Sequence, residues 1–216
     1  MFVCMRYLCY THFMYTVIDQ GLRPKRNSYM TVKKMDVNNS KCLIAFFSRP
    51  GNNYVNGTIV NLPVGNTEVI AKMIREMTGG DLFHIEAVNA YPGEYTETTE
   101  VAKEELRTSA RPKLTRQLEN FASYDAIFLG YPNWWGTMPM PVFSFLEEYD
   151  FSGKTIVPFC THEGSGLGRS VADIKKLCPQ STVPDGLAVR GRDVNNARDT
   201  ISGWLSSTWN DDTSDN

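Results

Sequence analysis

Three short segments of the sequence combine glycines with hydrogen-bonding or aromatic side chains, a pattern that suits ligand binding. In the first, Gly65-Asn66-Thr67 opens an amphipathic run that is predicted to form a helix. The unpaired N–H groups and the dipole of a helix N-terminus favour an anion such as a phosphate. The alternative is that Asn66 or Thr67 only caps the helix. A polyphosphate with Mg²⁺ fits poorly, because no lysine follows the glycine as it does in the phosphate loop of triphosphatases.

The second segment, GYPNWWGTMPMP at 130–141, places two adjacent tryptophans among glycines and prolines. Neither a helix nor a strand continues readily through such residues, so we predict a loop whose indoles cannot all be buried beneath it. A flat aromatic ligand stacked on Trp134 or Trp135 would gain on the order of 1 kcal/mol beyond burial. The alternative is that the tryptophans cover the sheet edge or contact a partner protein.

The third segment, THEGSGLGRS at 161–170, is rich in glycine. Its glycines let the backbone approach a ligand closely and expose N–H groups, while Thr161, His162 and Ser165 offer side-chain contacts. The spacing is not G-x-G-x-x-G, so the segment is not a dinucleotide fingerprint. Taken alone, it is typical of a flexible turn before a helix.

Each of these segments follows a predicted strand. The runs KCLIAFF, DLFHIEAV, DAIFLGYP, KTIVPFC and TVPDGLAV are typical of strands, and a helical pattern follows each of them. Strands that alternate with helices five times favour a doubly wound α/β domain with parallel strands and right-handed crossovers. Ligands of such sheets bind beyond the carboxyl ends of the strands, so we expect the three segments to form one pocket.

The composition limits the class of protein and its partners. The 216 residues carry a net charge of -2, and no run has the apolar length of a membrane span, so we expect neither nucleic acid nor a membrane as a partner. The five cysteines show no C-x-x-C spacing, and no histidine lies at zinc-ligand spacing from a cysteine pair. We therefore expect a cytoplasmic protein with free thiols and no bound metal.

The first forty residues differ in charge from the rest of the chain. Residues 1–40 hold six basic and two acidic residues, whereas the remainder holds 16 basic and 22 acidic ones. We expect 1–40 to be a poorly ordered N-terminal extension, and not a secretory signal, because polar residues interrupt its apolar stretches. The predicted domain covers 41–209, and the polar tail at 210–216 is expected to be disordered.

Taken together, VGNTEVIAKMI, GGDLFHIE, GYPNWWGTMP and THEGSG resemble the flavodoxin-like FMN-binding proteins over about residues 41–209. The resemblance implies a flavodoxin-like three-layer α/β/α sandwich with a five-stranded parallel sheet of order 2-1-3-4-5, and FMN as the cofactor. The FMN-binding residues that it implies are Ser48, Gly65, Asn66, Thr67, Pro132, Asn133, Trp134, Trp135, Gly136, Thr161, His162, Gly164, Ser165 and Gly166.

The chain departs from the family pattern at the phosphate loop. In simple flavodoxins the hydroxyl residue and Gly-Asn-Thr are nearly contiguous, but here RPGNNYVNGTIVNLPV separates Ser48 from Gly65. We expect these residues, 49–64, to be a polar loop inserted on the surface near the flavin rim. Gly51-Asn52 competes with the later Gly-Asn pair for the role in the phosphate loop.

Two flavin-based functions are open at this point: an electron carrier between proteins, and an NAD(P)H-dependent FMN reductase of quinone-like acceptors. The acidic domain suits docking to a basic redox partner, whereas the insertion could shape a substrate pocket. His162 either places a proton or positive charge near the reduced flavin or only forms hydrogen bonds. No catalytic side chain is assigned.

Other classes of protein fit the sequence less well. A receiver domain lacks its carboxylates at the ends of the first and third strands, and a hydrolase built on Ser165 and His162 lacks a G-x-S-x-G elbow. The remaining alternative is a non-flavin interaction module that uses exposed Trp134 and Trp135.

Overall fold

Seven strands in the described part of the chain form two separate sheets. The computed structural model describes residues 40–209. In chain order the strands are β1 (Cys42–Phe46), β2 (Gly51–Val55), β3 (Thr58–Leu62), β4 (Asp81–His84), β5 (Ala126–Pro132), β6 (Thr155–His162) and β7 (Leu187–Arg190). The larger sheet is parallel with the order β4-β1-β5-β6-β7, and β2 and β3 form an antiparallel hairpin.

Five α-helices between residues 40 and 209 cover the two faces of the larger sheet. They are α1 (Asn66–Thr78), α2 (Tyr95–Thr108), α3 (Met140–Glu148), α4 (Ser170–Leu177) and α5 (Arg198–Trp209). Successive residues of β1 point to opposite faces, so Ile44 packs in one cluster with α1 and α5 and Leu43 in another with α3 and α4. The three-layer sandwich and the strand order 2-1-3-4-5 predicted for the larger sheet are both confirmed.

The continuous apolar sequences of β1 and β5 follow from this covering on both faces. All five residues of β1 are buried, and so are the first six residues of β5. Gly130 of β5 lies opposite Phe159 of β6, and a Cβ added to Gly130 would lie 2.1 Å from the Phe159 ring. A glycine is therefore required at this position for the ring of Phe159 to pack over β5.

The residues between β1 and α1 form a hairpin, so the loop predicted for 49–64 is wrong, although the predicted position on the surface agrees with the exposed residues of β3. The strands pair from Gly51 opposite Leu62 to Val55 opposite Thr58. Asn56 and the following glycine form the turn with φ angles of 48° and 91°. Two successive left-handed residues make the turn that joins twisted strands most directly, and Asn-Gly is its strongest sequence signal.

The ends of β4 and β6 differ from the prediction, whereas β5 ends at its predicted residue. β5 continues through Pro132, which pairs with Thr161, because the next residue, Asn133, donates its N–H to the carbonyl oxygen of Thr161 at 2.8 Å. The predicted strand DAIFLGYP also ended at Pro132, whereas the predicted strand KTIVPFC ended at Cys160 and β6 continues to His162. β4 ends at His84, although the predicted strand continued to Val88.

Three cysteines lie inside the fold: Cys42, Cys160 and Cys178 are free and buried. In the stretch from 40 to 209, no helix is long and apolar enough to cross a membrane. The same stretch contains no group of three or more His, Cys, Asp or Glu side chains that could hold a metal ion. Residues 1–39 of the predicted extension and the predicted tail at 210–216 lie outside the described residues.

Candidate functional site

A cleft of about 550 Å³ opens beyond the carboxyl ends of β1, β5 and β6. The predicted site residues that line it are Ser48, Asn66, Thr67, Pro132, Asn133, Trp134, Trp135, Gly136, Thr161, His162 and Ser165. The predicted glycines Gly65, Gly164 and Gly166 are not among its lining residues. The structure thus brings all three segments to one cleft.

Helix α1 begins at the wall of the cleft. Its N-cap is Gly65, so the alternative that Asn66 or Thr67 caps the helix is wrong. Oγ of Ser48 instead accepts the N–H of Glu68 at 3.1 Å. A Cβ on Gly65 would lie 2.2 Å from this oxygen, so the close approach requires a glycine. The N–H groups of Asn66 and Thr67 belong to the first turn, where a helix provides no carbonyl partner.

The two tryptophans lie in different environments. Trp134 is half-buried and makes edge-on contacts with Phe47 and Tyr91, at ring-centroid distances of 5.3 and 5.1 Å. Trp135 is 48% exposed, has a left-handed φ of 54°, and donates from Nε1 to the carbonyl oxygen of Thr99 in α2 at 3.1 Å. The prediction that the indoles cannot all be buried is confirmed: both line the cleft, but Trp135 is exposed and Trp134 is half-buried.

Asn133 holds the second and third segments together. Its Nδ2 donates to the carbonyl oxygen of Gly166 at 2.8 Å, and its Oδ1 accepts the N–H of Gly136 at 3.0 Å. The segments also touch at Gly168, where an added Cβ would lie 2.2 Å from the carbonyl oxygen of Gly136. The side-chain amide of Asn133 therefore fixes the shape of the cleft.

One hydrogen bond of His162 determines which ring nitrogen carries the proton. Its Nδ1 accepts the N–H of Gly164 at 2.9 Å, so the proton of the neutral ring lies on Nε2. Burial and the charge of Arg190 lower the pKa of His162, against an opposite effect of Glu163. His162 is thus a neutral donor, and the occupied Nδ1 is not available as a base for Ser165.

Several lining residues were not predicted from the sequence. They are Arg49, Asn53, Tyr54, Tyr95, Thr98, Thr99, Ala102 and Glu163. Tyr54 in β2 and Tyr95 at the start of α2 stack with ring centroids 6.0 Å apart. The Asn-Gly turn at 56–57 is the signal that would have revealed the hairpin, whereas we find no sequence signal for the contribution of α2.

The hairpin is fastened on both sides of the cleft. The guanidinium of Arg49 donates to the carbonyl oxygens of Pro92 and Gly93 at distances of 2.7 to 3.2 Å, and burial lowers the pKa of Arg49. At the tip of the hairpin, the N–H of Asn56 donates to Oε2 of Glu163 at 2.9 Å. The loop after β4 and the loop after β6 therefore hold the hairpin from opposite sides.

Comparison with known proteins identifies relatives of this fold. A crystal structure from Bacteroides eggerthii, provisionally described as a flavoprotein, is 29% identical, with a TM-score of 0.59 over 76% of this chain and 99% of that one. A second, from Bacteroides uniformis, has the same provisional description and is 26% identical, with a TM-score of 0.62 over 77% and 98%. A flavoprotein from Lactobacillus acidophilus, in complex with FMN, shares the fold at 18% identity, with a TM-score of 0.54 over 73% and 97%.

The family of the chain follows from a match over most of its length. A search of curated proteins finds no significant match. The sequence model of the flavodoxin family, however, matches residues 41–208, which include every strand, every segment of the cleft and nearly all of α5. The resemblance seen in the sequence is confirmed: the chain belongs to the flavodoxin family.

Proposed function

We propose that the protein binds FMN in this cleft and acts as a flavoprotein that transfers electrons. The observation that carries the proposal is the convergence of a helix N-terminus, an exposed tryptophan and a glycine-rich loop on one cleft. The cleft volume of about 550 Å³ falls within the range of about 300–1,000 Å³ that is typical of small-molecule sites. Bound FMN would supply the redox chemistry, and the chain would supply its orientation and electrostatic surroundings.

The phosphate of FMN is assigned to the N-terminus of α1. The donors there are neutral: the first N–H groups of the helix and the side chains of Ser48, Asn66 and Thr67. Arg49 also lines the cleft, but it makes four hydrogen bonds to backbone carbonyl oxygens. The phosphate is therefore held by hydrogen bonds and the helix dipole, without a dedicated cation.

The ring of FMN is assigned to the region beside Trp135. The indole is held by its bond to Thr99, and Nζ of Lys103 lies 5.5 Å from its ring centroid. Offset stacking of a flat ring on such an indole is worth about 0.5–1.5 kcal/mol beyond burial. Nε2 of His162 and the N–H groups of Ser165 and Gly166 are the donors proposed for the polar edge of the ring, because the N–H of Gly164 already donates to Nδ1 of His162.

A second candidate function is the NAD(P)H-dependent reduction of quinone-like acceptors. It is favoured by the Tyr54 and Tyr95 pair, which extends the cleft beyond the three segments and offers aromatic surface to a second planar molecule. A carrier between proteins requires only the flavin site. The fold leaves both functions open. For either function we propose a cytoplasmic location, as expected from the cysteine pattern.

The visible spectrum of the purified protein tests FMN binding. We expect absorption bands of a bound flavin, and we expect acid treatment to release FMN identified by its mass. A colourless protein whose apo form binds no added FMN would contradict the proposal and favour an interaction module. Steady-state oxidation of NADH or NADPH with a quinone then separates the functions, because a carrier alone does not turn over these substrates.

A further inference from the structure

Residues 134–137 form a tight turn that carries the exposed indole of Trp135. The N–H of Trp134 donates to the carbonyl oxygen of Thr137 at 2.9 Å, and the N–H of Thr137 donates back to the carbonyl oxygen of Trp134 at 3.1 Å. The two central residues, Trp135 and Gly136, have φ angles of 54° and 81°. A glycine adopts such angles readily, whereas a bulky residue is rare there because its Cβ crowds the backbone. Trp135 is therefore held in an unfavourable backbone conformation.

A residue in such a conformation persists only where its surroundings fix it, and here the start of α4 does so. The N–H of Arg169 donates to the carbonyl oxygen of Gly136 at 2.9 Å. Thr137 is completely buried, and its Oγ1 donates to Oδ2 of Asp173 at 2.6 Å. Nε of Arg169 lies 3.3 Å from the same carboxylate oxygen. The start of α4 thus holds the third and the fourth residue of the turn.

The bond to Asp173 differs in kind from the other side-chain contacts of the turn. Oδ1 of Asn133 accepts the N–H of Gly136. Nε1 of Trp135 donates to the carbonyl oxygen of Thr99, so both of these bonds join neutral groups. A hydroxyl that donates to a carboxylate makes a shorter bond that is about twice as strong. Asp173 is not among the residues that line the cleft, so we expect its effect on a ligand there to pass through the turn.

We propose that Asp173 is a positioning residue that acts through Thr137 to hold the indole of Trp135 in the orientation that receives the flavin ring. This role rests on the proposed function, because it assumes that the ring stacks on Trp135. It goes further, because it assigns the geometry of the stacking surface to a side chain of α4 that lies outside the cleft.

Titration of the apoprotein with FMN, read by the quenching of flavin fluorescence, tests this role in two backgrounds. We expect Asp173→Ala to weaken FMN binding about three- to fivefold, which is less than the loss of about tenfold expected when the indole itself is removed. In a protein that already carries Trp135→Ala, the same change should alter the affinity by less than about twofold, because no indole remains to be positioned. A residue needed only for folding would produce the same loss in both backgrounds.

Variants of Thr137 show whether its hydroxyl carries the effect. Thr137→Val removes the donor and should reproduce the loss seen in Asp173→Ala; it also carries the test if Asp173→Ala does not fold. Thr137→Ser keeps the hydroxyl and should bind FMN within about twofold of the wild type. Asp199→Ala is the matched control, because Asp199 is an exposed acidic residue in the first turn of another helix, α5. This control should leave the affinity for FMN unchanged.

The indole N–H resonances of the apoprotein report the position of Trp135 without a flavin. Nε1 of Trp135 donates to the carbonyl oxygen of Thr99 in α2. Nε1 of Trp204 in α5 donates to the carbonyl oxygen of Asp185 and serves as the internal reference. We expect Asp173→Ala to shift the Trp135 resonance and to speed its hydrogen exchange, while the Trp204 resonance stays in place.

The outcomes separate the positioning role from the proposed function. Wild-type affinity for FMN in both Asp173→Ala and Thr137→Val would overturn the role and leave FMN binding standing. A loss of equal size in the Trp135→Ala background, or an unmoved Trp135 resonance, would do the same. Failure of the wild type to bind FMN would overturn the proposed function, and the role in FMN binding with it.

Discussion

The hydroxyl oxygens of Thr67 and Thr161 lie 2.8 Å apart, although the residues are 94 positions apart in sequence. Both residues are buried, with 2% and 5% of their surface exposed. One belongs to the first turn of α1, and the other lies near the end of β6. The bond therefore joins the proposed phosphate site directly to β6, the strand that ends at His162.

Removing one partner of this bond should be costly. We expect Thr161→Val to lower the free energy of unfolding by about 1–3 kcal/mol, because the hydroxyl of Thr67 is left buried without its partner. The double change to valine should cost less than the sum of the single changes, because no hydroxyl is then unpaired. Urea unfolding of the apoprotein measures these values, with Thr78→Val at the other end of α1 as the control. Additive effects would contradict the coupling.

The two tryptophans should respond differently to truncation. Trp134→Ala is expected to lower the free energy of unfolding by about 3–5 kcal/mol, because it removes an indole packed against Phe47 and Tyr91. Trp135→Ala should change stability little but weaken FMN binding by about tenfold, since its loss removes stacking worth on the order of 1 kcal/mol. Chemical unfolding and flavin titration of both variants would distinguish the roles. A large loss of stability in Trp135→Ala together with weakened FMN binding in Trp134→Ala alone would contradict these two roles.

A methyl group at Gly65 should disturb the phosphate site. The φ of Gly65 is -68°, which suits any residue, so the expected loss of about 1–3 kcal/mol comes from the close contacts with Ser48 and Arg49. Gly203→Ala in α5 is the matched control, because its Cβ meets no atom within 4 Å; it should stabilise the protein by about 0.5–1 kcal/mol. Thermal unfolding and FMN titration measure both. A tolerated Gly65→Ala would mean that the ends of the hairpin move apart easily.

His162 should remain neutral at pH 7. Its folded-state pKa is lowered by burial and by Arg190, so the native state binds fewer protons than the unfolded chain near that pKa. Stability from this residue is therefore present above the unfolded pKa of about 6.5 and is lost as the pH falls through the folded pKa. NMR titration of the ring protons should give a midpoint below the ordinary value, and Arg190→Gln should raise it. A midpoint above that of an unfolded peptide would contradict the neutral donor.

The parts of the fold that repeat a simple pattern were predictable from the sequence. The apolar runs of β1 and β5 are buried on both faces, and alternating helices supplied the crossovers, so the strand order of the larger sheet was predicted correctly. The convergence of three segments on one cleft followed from the same topology, because parallel strands end at the same edge.

The remaining features depend on contacts between distant residues. The turn at Asn56 had a local signal, but its bond to Glu163 joins residues 107 positions apart. The N–H of Glu68 in α1 likewise donates to Oγ of Ser48 on the other side of the hairpin. Such an acceptor cannot be found among the residues next to the helix, where the cap was predicted. The two tryptophans differ in burial and in φ, which is left-handed only at Trp135, and adjacent indoles in a sequence do not reveal this difference.

The three buried cysteines of residues 40–209 are poorly placed to react with oxidants. Burial raises the pKa of Cys42 to about 11, of Cys160 to about 12 and of Cys178 to about 11. The thiolate is the form that reacts with peroxides and alkylating reagents, and at neutral pH these sulfurs stay protonated. Oxidants formed by the proposed flavin in the cleft would thus leave these three thiols unmodified. A cysteine introduced on the surface of that region should accept a spectroscopic label far faster than any of the three native thiols.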